Sequence, residues 1–238
     1  MKKIHASNKV LVVDIEGTTT PLSFVSQTLF PYARRHLYDY LSKNWQEEDV
    51  KMWMNELFAF ENTEDRSIEK AVKIAENLID RDIKFTPLKA LQGKIWRAGY
   101  EDGNLIGALF DEVETYFKKW SDSHRIYIYS SGSIEAQKLL FSHSAAGDLC
   151  VYLSGYFDTK IGSKKESQSY REIHRSIGCD LEDLHFLTDS EAEAKSAHDA
   201  KWKVILMTRP GNVPLSDTSL DTIPKCCDFE EVDKYWSL

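Results

Sequence analysis

The chain has 238 residues, enough for one large domain or two modest ones, and 42% hydrophobic with 29% charged residues is ordinary globular usage, which excludes a wholly disordered chain. Thirty Lys and Arg against 38 Asp and Glu give a formal net charge of −8. With no basic block, that balance argues against nucleic acid and against an anionic membrane surface as partners.

In chain order, Val10–Val13 is the first apolar run, and it stops at Asp14. Three later runs behave alike: Ile126–Tyr129 stops at Ser130 and Ser131, Leu184–Leu187 at Thr188 and Asp189, and Val204–Met207 at Thr208. Strands apolar on both faces suit a parallel sheet covered by helices. Each run ends in polar residues at its carboxyl side, where open α/β sheets bind ligands.

From about residue 21 to 120 the helical period dominates instead. Ile68, Ala71, Val72, Ala75, Leu78 and Ile79 form one apolar stripe, with Ser67 placed to cap it. Leu109, Phe110, Val113, Tyr116, Phe117 and Trp120 form another, and the aromatic-rich stretch from Trp45 to Phe60 is also read as helix. The spacing predicts a helical insertion over 21–120 between two parts of an α/β core, 1–20 and 121–238. Within the core, helices are expected over 134–143, over 166–177 ending at Gly178, and over 191–200. Residues 209–224 read as loop. Residues 229–236 fit either a helix or a strand.

Cys150, Cys179, Cys226 and Cys227 include no CxxC pair and no zinc-ligand spacing to histidines, so reduced thiols are expected. The basic start is followed by only four apolar residues before Asp14, too few for a signal-peptide core. No run approaches the roughly 18 apolar residues of a membrane span. The expectation is a cytoplasmic protein, with a nuclear pool left open.

The chemistry concentrates at the ends of the apolar runs. Asp14 and Glu16 are two residues apart, followed by Gly17 and the hydroxyls Thr18, Thr19 and Thr20. In extended backbone, i and i+2 point the same way, so both carboxylates can share a pocket. Two neighbouring anions need a cation or a shifted pKa, and magnesium, which prefers oxygen ligands, is the natural one. The bland alternative is an aspartate that merely caps the next segment. Ser130-Ser131-Gly132-Ser133 stands before a helix, where hydroxyls and free amides suit a phosphate or simply an N-cap. Lys164 and Lys165 precede another helix. Either is a point charge for phosphate or a solvated lysine. Asp189, with Glu193 beyond it, is a second candidate magnesium carboxylate or a capping residue.

Together these features, an acid pair, then Ser, then Lys, then Asp, resemble the four-motif pattern of the haloacid dehalogenase superfamily, mostly magnesium-dependent phosphohydrolases. Glu16 departs from that superfamily's usual Asp-x-Asp. The wider text, Asp14 to Pro21, Phe30-Pro31-Tyr32, Leu91 to Arg97, Tyr127 to Ser133, Glu135 to Phe141, Phe157 to Gly162, Phe186 to Asp189 and Arg209 to Asn212, is similar to the enolase-phosphatase family, in which a glutamate at that place is normal.

The resemblance implies a Rossmann-like parallel-sheet core with an inserted helical cap, and a small phosphate ester as substrate. That ester is 2,3-diketo-5-methylthiopentyl 1-phosphate, which is enolised and dephosphorylated in methionine salvage. It implies one Mg2+ per chain on Asp14 and Asp189, with the Glu16 position contributing through its backbone carbonyl. It implies Asp14 as phosphoryl acceptor, Glu16 as a catalytic acid or base, Ser130, Ser131 and Lys164 as phosphate-binding residues, and a monomer. Glu193 is a candidate to orient Lys164. Phe30 and Trp96 are candidate walls for the methylthio group. The rival readings are another phosphomonoesterase or a dehalogenase on the same fold, a receiver-like phospho-acceptor domain, which would be about half as long, and an inactive binding module.

Overall fold

The computed structural model describes residues 9–81, 83–216, 220 and 222–236. The chain divides into two compact units: Met1–Leu22 with Gly107–Leu238, and Ser23–Ile106.

The larger unit is built on a sheet of six parallel strands among the described residues: β1 (Val10–Val13), β2 (Arg125–Tyr129), β3 (Leu153–Phe157), β4 (Leu184–Thr188), β5 (Lys203–Met207) and β6 (Lys225–Cys226). Their order is β3-β2-β1-β4-β5-β6. The chain therefore steps outward from β1 through β2 to β3, then returns to the other side of β1 with β4. That reversal makes the carboxyl end of the β1–β4 pair the switch point where such sheets hold ligands. All four residues of β1 are fully buried, as a central strand covered on both faces requires.

β3 and β6 were not foreseen. β3 reads Leu-Ser-Gly-Tyr-Phe, is only partly covered, and lacks an apolar run; β6 is two residues long.

Helices α6 (Val113–Trp120), α7 (Ile134–Ser142), α8 (Ser167–Ile177), α9 (Glu191–Asp199) and α10 (Phe229–Trp236) belong to this unit. Gly178 ends α8 in the left-handed region at φ 65°, as its position predicted. The end of the chain left undecided is helical: Asp233 of α10 accepts hydrogen bonds from Trp120 Nε1 at 2.9 Å and Lys119 Nζ at 2.7 Å. The sequence placed residues 107–120 in the insertion, but they sit with the sheet. Phe117 packs against Phe141 and Phe229, and Trp120 against Phe229 and Trp236. The stripe was real from Val113 to Trp120, with Leu109 and Phe110 lying before the helix, and its apolar partners lie beyond residue 120.

The smaller unit, Ser23–Ile106, is helical. A short turn α1 (Leu22–Phe24), a π-helical turn (Val25–Leu29) and α2 (Phe30–Asn44) run on without a break, followed by α3 (Glu48–Phe60), α4 (Ile68–Asp80) and α5 (Thr86–Glu101). Ser67 caps α4 by accepting from the Lys70 amide at 3.2 Å. Ala71, Ile74, Ala75 and Leu78 bury the α4 stripe. Phe30 and Trp96 pair edge to face at 5.8 Å, and Trp96 Nε1 donates to the Leu29 carbonyl at 2.8 Å. Among the described residues no helix is long and apolar enough to cross a membrane.

Candidate active site

β1 ends at Val13, but its ladder continues one step, because the Asp14 amide donates to Leu187 O at 2.9 Å. Asp14 is thereby fixed to β4 by backbone, and it is buried. The chain then curls. The amides of Thr18, Thr19 and Thr20 all point to the Ile15 carbonyl, at 3.2, 2.9 and 2.9 Å, and Gly17 N donates to Thr20 O at 2.8 Å. Glu16 therefore stands in a turn rather than in strand alternation, and its charge reaches Asp189. Gly17 adopts φ +68°, and a Cβ there would stand 2.6 Å from Asp189 Cγ. Only glycine allows the turn to close over that carboxylate.

Lys164 lies in the loop after β3 and is only 6% exposed. Its Nζ sits 2.5 Å from Asp14 Oδ1 and 2.7 Å from Glu193 Oε2. The loop is held from below. Tyr129 OH donates to Gly162 O at 3.2 Å, Ser169 Oγ to Ser163 O at 2.7 Å, and Tyr170 OH to Lys164 O at 2.7 Å. Tyr170 itself is fully buried and packs edge to face on Tyr129, Phe186 and Trp202. Burial opposes the ammonium charge, but the Asp14 and Glu193 carboxylates outweigh it, so the Lys164 pKa is raised and the residue is a fixed cation.

Asp189 follows β4 in a turn whose cap is Ser190, not Asp189. Burial and then the Asp14 charge push its pKa up to about 7, with Glu16 adding to the effect. Glu193 is raised likewise to about 7, by burial and then Asp14, and accepts from Thr188 Oγ1 at 2.9 Å. Asp14 and Glu193 both engage Lys164, and Asp189 feels the charges of Asp14, Lys164 and Glu16, so carboxylates outnumber the one lysine here. Such an excess of carboxylate oxygen is the donor chemistry of a hard divalent cation. Among the described residues, no three His, Cys, Asp or Glu side chains form a cage on their own.

Ser130 is buried, and its Oγ accepts from the Gly132 amide at 3.2 Å, leaving its hydroxyl proton to donate. The helix cap is Ser133, which accepts from Ala136 N at 3.2 Å. Ser131 is exposed. All four cysteines are free.

No family model matches the chain. Curated relatives do. It is 43% identical to enolase-phosphatase E1 of Anopheles gambiae over 95% of this chain and 82% of that one. It is 43% identical to enolase-phosphatase E1 of Aquifex aeolicus, over 94% of this chain and 99% of that one. The chain belongs to the enolase-phosphatase E1 family. Among solved structures, the UTR4 protein of Saccharomyces cerevisiae is 33% identical, with a TM-score of 0.78 over 93% of this chain and 98% of that one. The HAD-hydrolase YfnB of Bacillus subtilis, 16% identical with a TM-score of 0.58 over 98% of this chain and 100% of that one, shares the fold.

Beside the residues expected from the enolase-phosphatase E1 resemblance, the fold brings in others that sequence reasoning gave no role. Arg209 is buried; it donates to Thr18 O at 3.1 and 2.9 Å, to Cys227 O at 3.3 Å and to the Glu112 carboxylate. Phe110 and Phe229 flank its guanidinium, at 4.3 and 4.8 Å. Asn212 Nδ2 donates to Gly17 O at 2.9 Å and Met207 O at 3.1 Å. The visible signal was the Arg209-Pro-Gly-Asn212 block soon after the apolar run of β5, which carries part of the family resemblance but lies in a segment read as loop. Tyr170 was hidden because it reads as one more apolar position of α8.

Proposed function

We propose that this chain is a bifunctional magnesium-dependent enolase-phosphatase that converts 2,3-diketo-5-methylthiopentyl 1-phosphate to 1,2-dihydroxy-3-keto-5-methylthiopentene and phosphate, as a cytoplasmic monomer. The observation that carries the reading is the buried Asp14–Lys164–Glu193 chain beside Asp189, in a relative of the enolase-phosphatases over nearly its full length.

Asp14 is the phosphoryl acceptor: one carboxylate oxygen attacks phosphorus, the enol oxygen leaves, and water then hydrolyses the acyl phosphate. Lys164 holds the Asp14 carboxylate in place and balances charge on the transferring group. Ser130, through its free hydroxyl proton, and Ser131 bind phosphate oxygens. Asp14 and Asp189 would hold one Mg2+, with the Glu16 backbone carbonyl; when bound, that ion neutralises phosphate charge and polarises the neighbouring carbonyl. Glu16 takes the proton from substrate carbon 1 and delivers it to oxygen. An enolate is a better leaving group than an alkoxide, so Glu16 is less needed in phosphoryl transfer.

The test supplies purified protein with Mg2+ and the diketo phosphate, and follows enol absorbance and free phosphate together, with Asp14→Asn as control. Enol signal followed by phosphate, with phosphate release lost in the variant, supports the reading. Release from simple monoesters without turnover of this substrate overturns it.

A further inference from the structure

We propose that Asn212 and Arg209 are positioning residues for enolisation: they hold the Gly17 and Thr18 carbonyls and so fix Glu16. The inference rests on the role for Glu16 proposed above.

The groups around the phosphoryl position are anchored without this pair. Asp14 is held by its backbone bond to Leu187 and by Lys164. Lys164 is held by Glu193 and by the Tyr170 bond to its carbonyl. Ser130 follows β2 on the other side of β1, and its amide donates to Phe157 O at 3.2 Å. Glu16 lies two residues past Asp14, in a turn closed by three amides on the Ile15 carbonyl and by Gly17 N on Thr20 O. Phe110 N holds the Thr19 carbonyl of that turn at 3.0 Å, and the segment after β5 holds the two carbonyls next to Glu16, those of Gly17 and Thr18.

Asn212 takes the carbonyl of Gly17, and Arg209 takes that of Thr18 with two nitrogens. β5 is not a neighbour of β1; β4 lies between them. The two side chains therefore reach across the end of β4, above which Asp189 stands. A Cβ on Gly17 would lie 2.6 Å from Asp189 Cγ and 2.9 Å from Asn212 Oδ1. The turn is thus packed between the carboxylate and the amide. Arg209 is itself over-determined: two phenyl faces, Glu112 and three carbonyl bonds leave it one position. Asn212 is anchored through Met207 O to the last residue of β5. A carboxylate that moves a proton must be held to within a fraction of an ångström of its substrate carbon. The clamp bonds the turn that carries Glu16, and none of its bonds goes to Asp14, Lys164 or Ser130.

The experiment uses the full-length protein with Mg2+ and compares Asn212→Ala with wild type. Enolisation is read by absorbance, phosphate release by a pre-enolised substrate analogue, and folding by the thermal midpoint. The expected result is a fall of about tenfold or more in kcat for enolisation with KM little changed, while phosphate release from the analogue falls less than about threefold. Asn212→Gln, which keeps the amide, should restore part of the enolisation rate. Parallel loss of both steps, or no loss in either, overturns the proposal. If Asn212→Ala does not fold, Arg209→Lys, which keeps the charge but loses the paired bonds to Thr18, is put through the same comparison. A wild-type protein that releases phosphate but never enolises brings down the Glu16 role and this inference together; normal wild-type enolisation with an indifferent Asn212→Ala brings down this inference alone.

Discussion

Lys164 Nζ and Asp14 Oδ1 lie 2.5 Å apart, buried, and separated by 150 residues of chain. A lysine in this position neutralises the aspartate and a second carboxylate, Glu193, at once. Lys164→Met would leave two buried carboxylates facing each other without a cation. Breaking a buried pair by removing one partner costs about 3 kcal/mol or more, although the survivors can take up a proton and recover part of it. The expected outcome is a stability loss of about that size in urea titration, with phosphate release down by about a thousandfold. Near-normal phosphate release in a folded Lys164→Met protein would show that the lysine is structural only.

Gly17→Ala tests the turn itself. The backbone there is at φ +68°, and the new methyl would meet the Asp189 carboxylate. Left-handed strain and the clash together should cost about 1–3 kcal/mol, relieved only by opening the turn. Opening it shifts Glu16 and disturbs Asp189, so both half-reactions should fall by about a hundredfold. Thermal melting and the paired absorbance and phosphate assay check this, and retention of either activity would mean the close approach is not needed.

Glu16→Gln separates the two chemistries. The amide keeps the shape and cannot take a proton. Enolisation should fall by about a hundredfold or more, while release of phosphate from a pre-enolised analogue falls much less. Equal loss in both would return Glu16 to the phosphoryl-transfer step.

How far the sequence carried these arguments depended on what kind of signal each residue left. β1 was legible because four consecutive apolar residues can only be buried on both faces, and its first polar neighbour, Asp14, lands at the ligand-binding end. Asp189 and Ser130 were legible for the same reason. Lys164 was not legible by chemistry alone: a lysine before a helix is usually solvated, and only the fold shows that it is buried against Asp14. Its spacing from Ile161 and Gly162 in the family pattern picked it over Lys165. Arg209 and Asn212 left no chemical signature, because their work is done on backbone carbonyls, which every residue possesses. The edge strand β3 was missed because Ser154 and Gly155 break the apolar run exactly where a half-covered strand tolerates them.

The opposite end of the sheet gives a pH prediction independent of catalysis. There a cavity of about 620 Å³ is lined by residues including Lys9, His124, His185 and Lys203. His185 begins inside β4 and packs edge to face on Trp236 at 5.2 Å. Burial, then the Lys203 charge, lowers its pKa from 6.5 to about 4. The sign follows from proton counting: between pH 6.5 and about 4 the unfolded chain binds a proton at His185 that the folded chain refuses. Folding stability from this residue is therefore intact above 6.5 and is lost as the pH falls toward 4. His124 is lowered in the same direction, by burial and then by Lys9, and adds to the slope. The histidine is not wholly enclosed, so its share is on the order of 2 kcal/mol. His185→Phe keeps an aromatic ring against Trp236 and removes the titration. Urea midpoints at about pH 7 and about pH 4.5 should show the variant losing less stability on acidification than wild type. Equal losses in the two proteins would mean that His185 is protonated as readily in the folded chain as in the unfolded one.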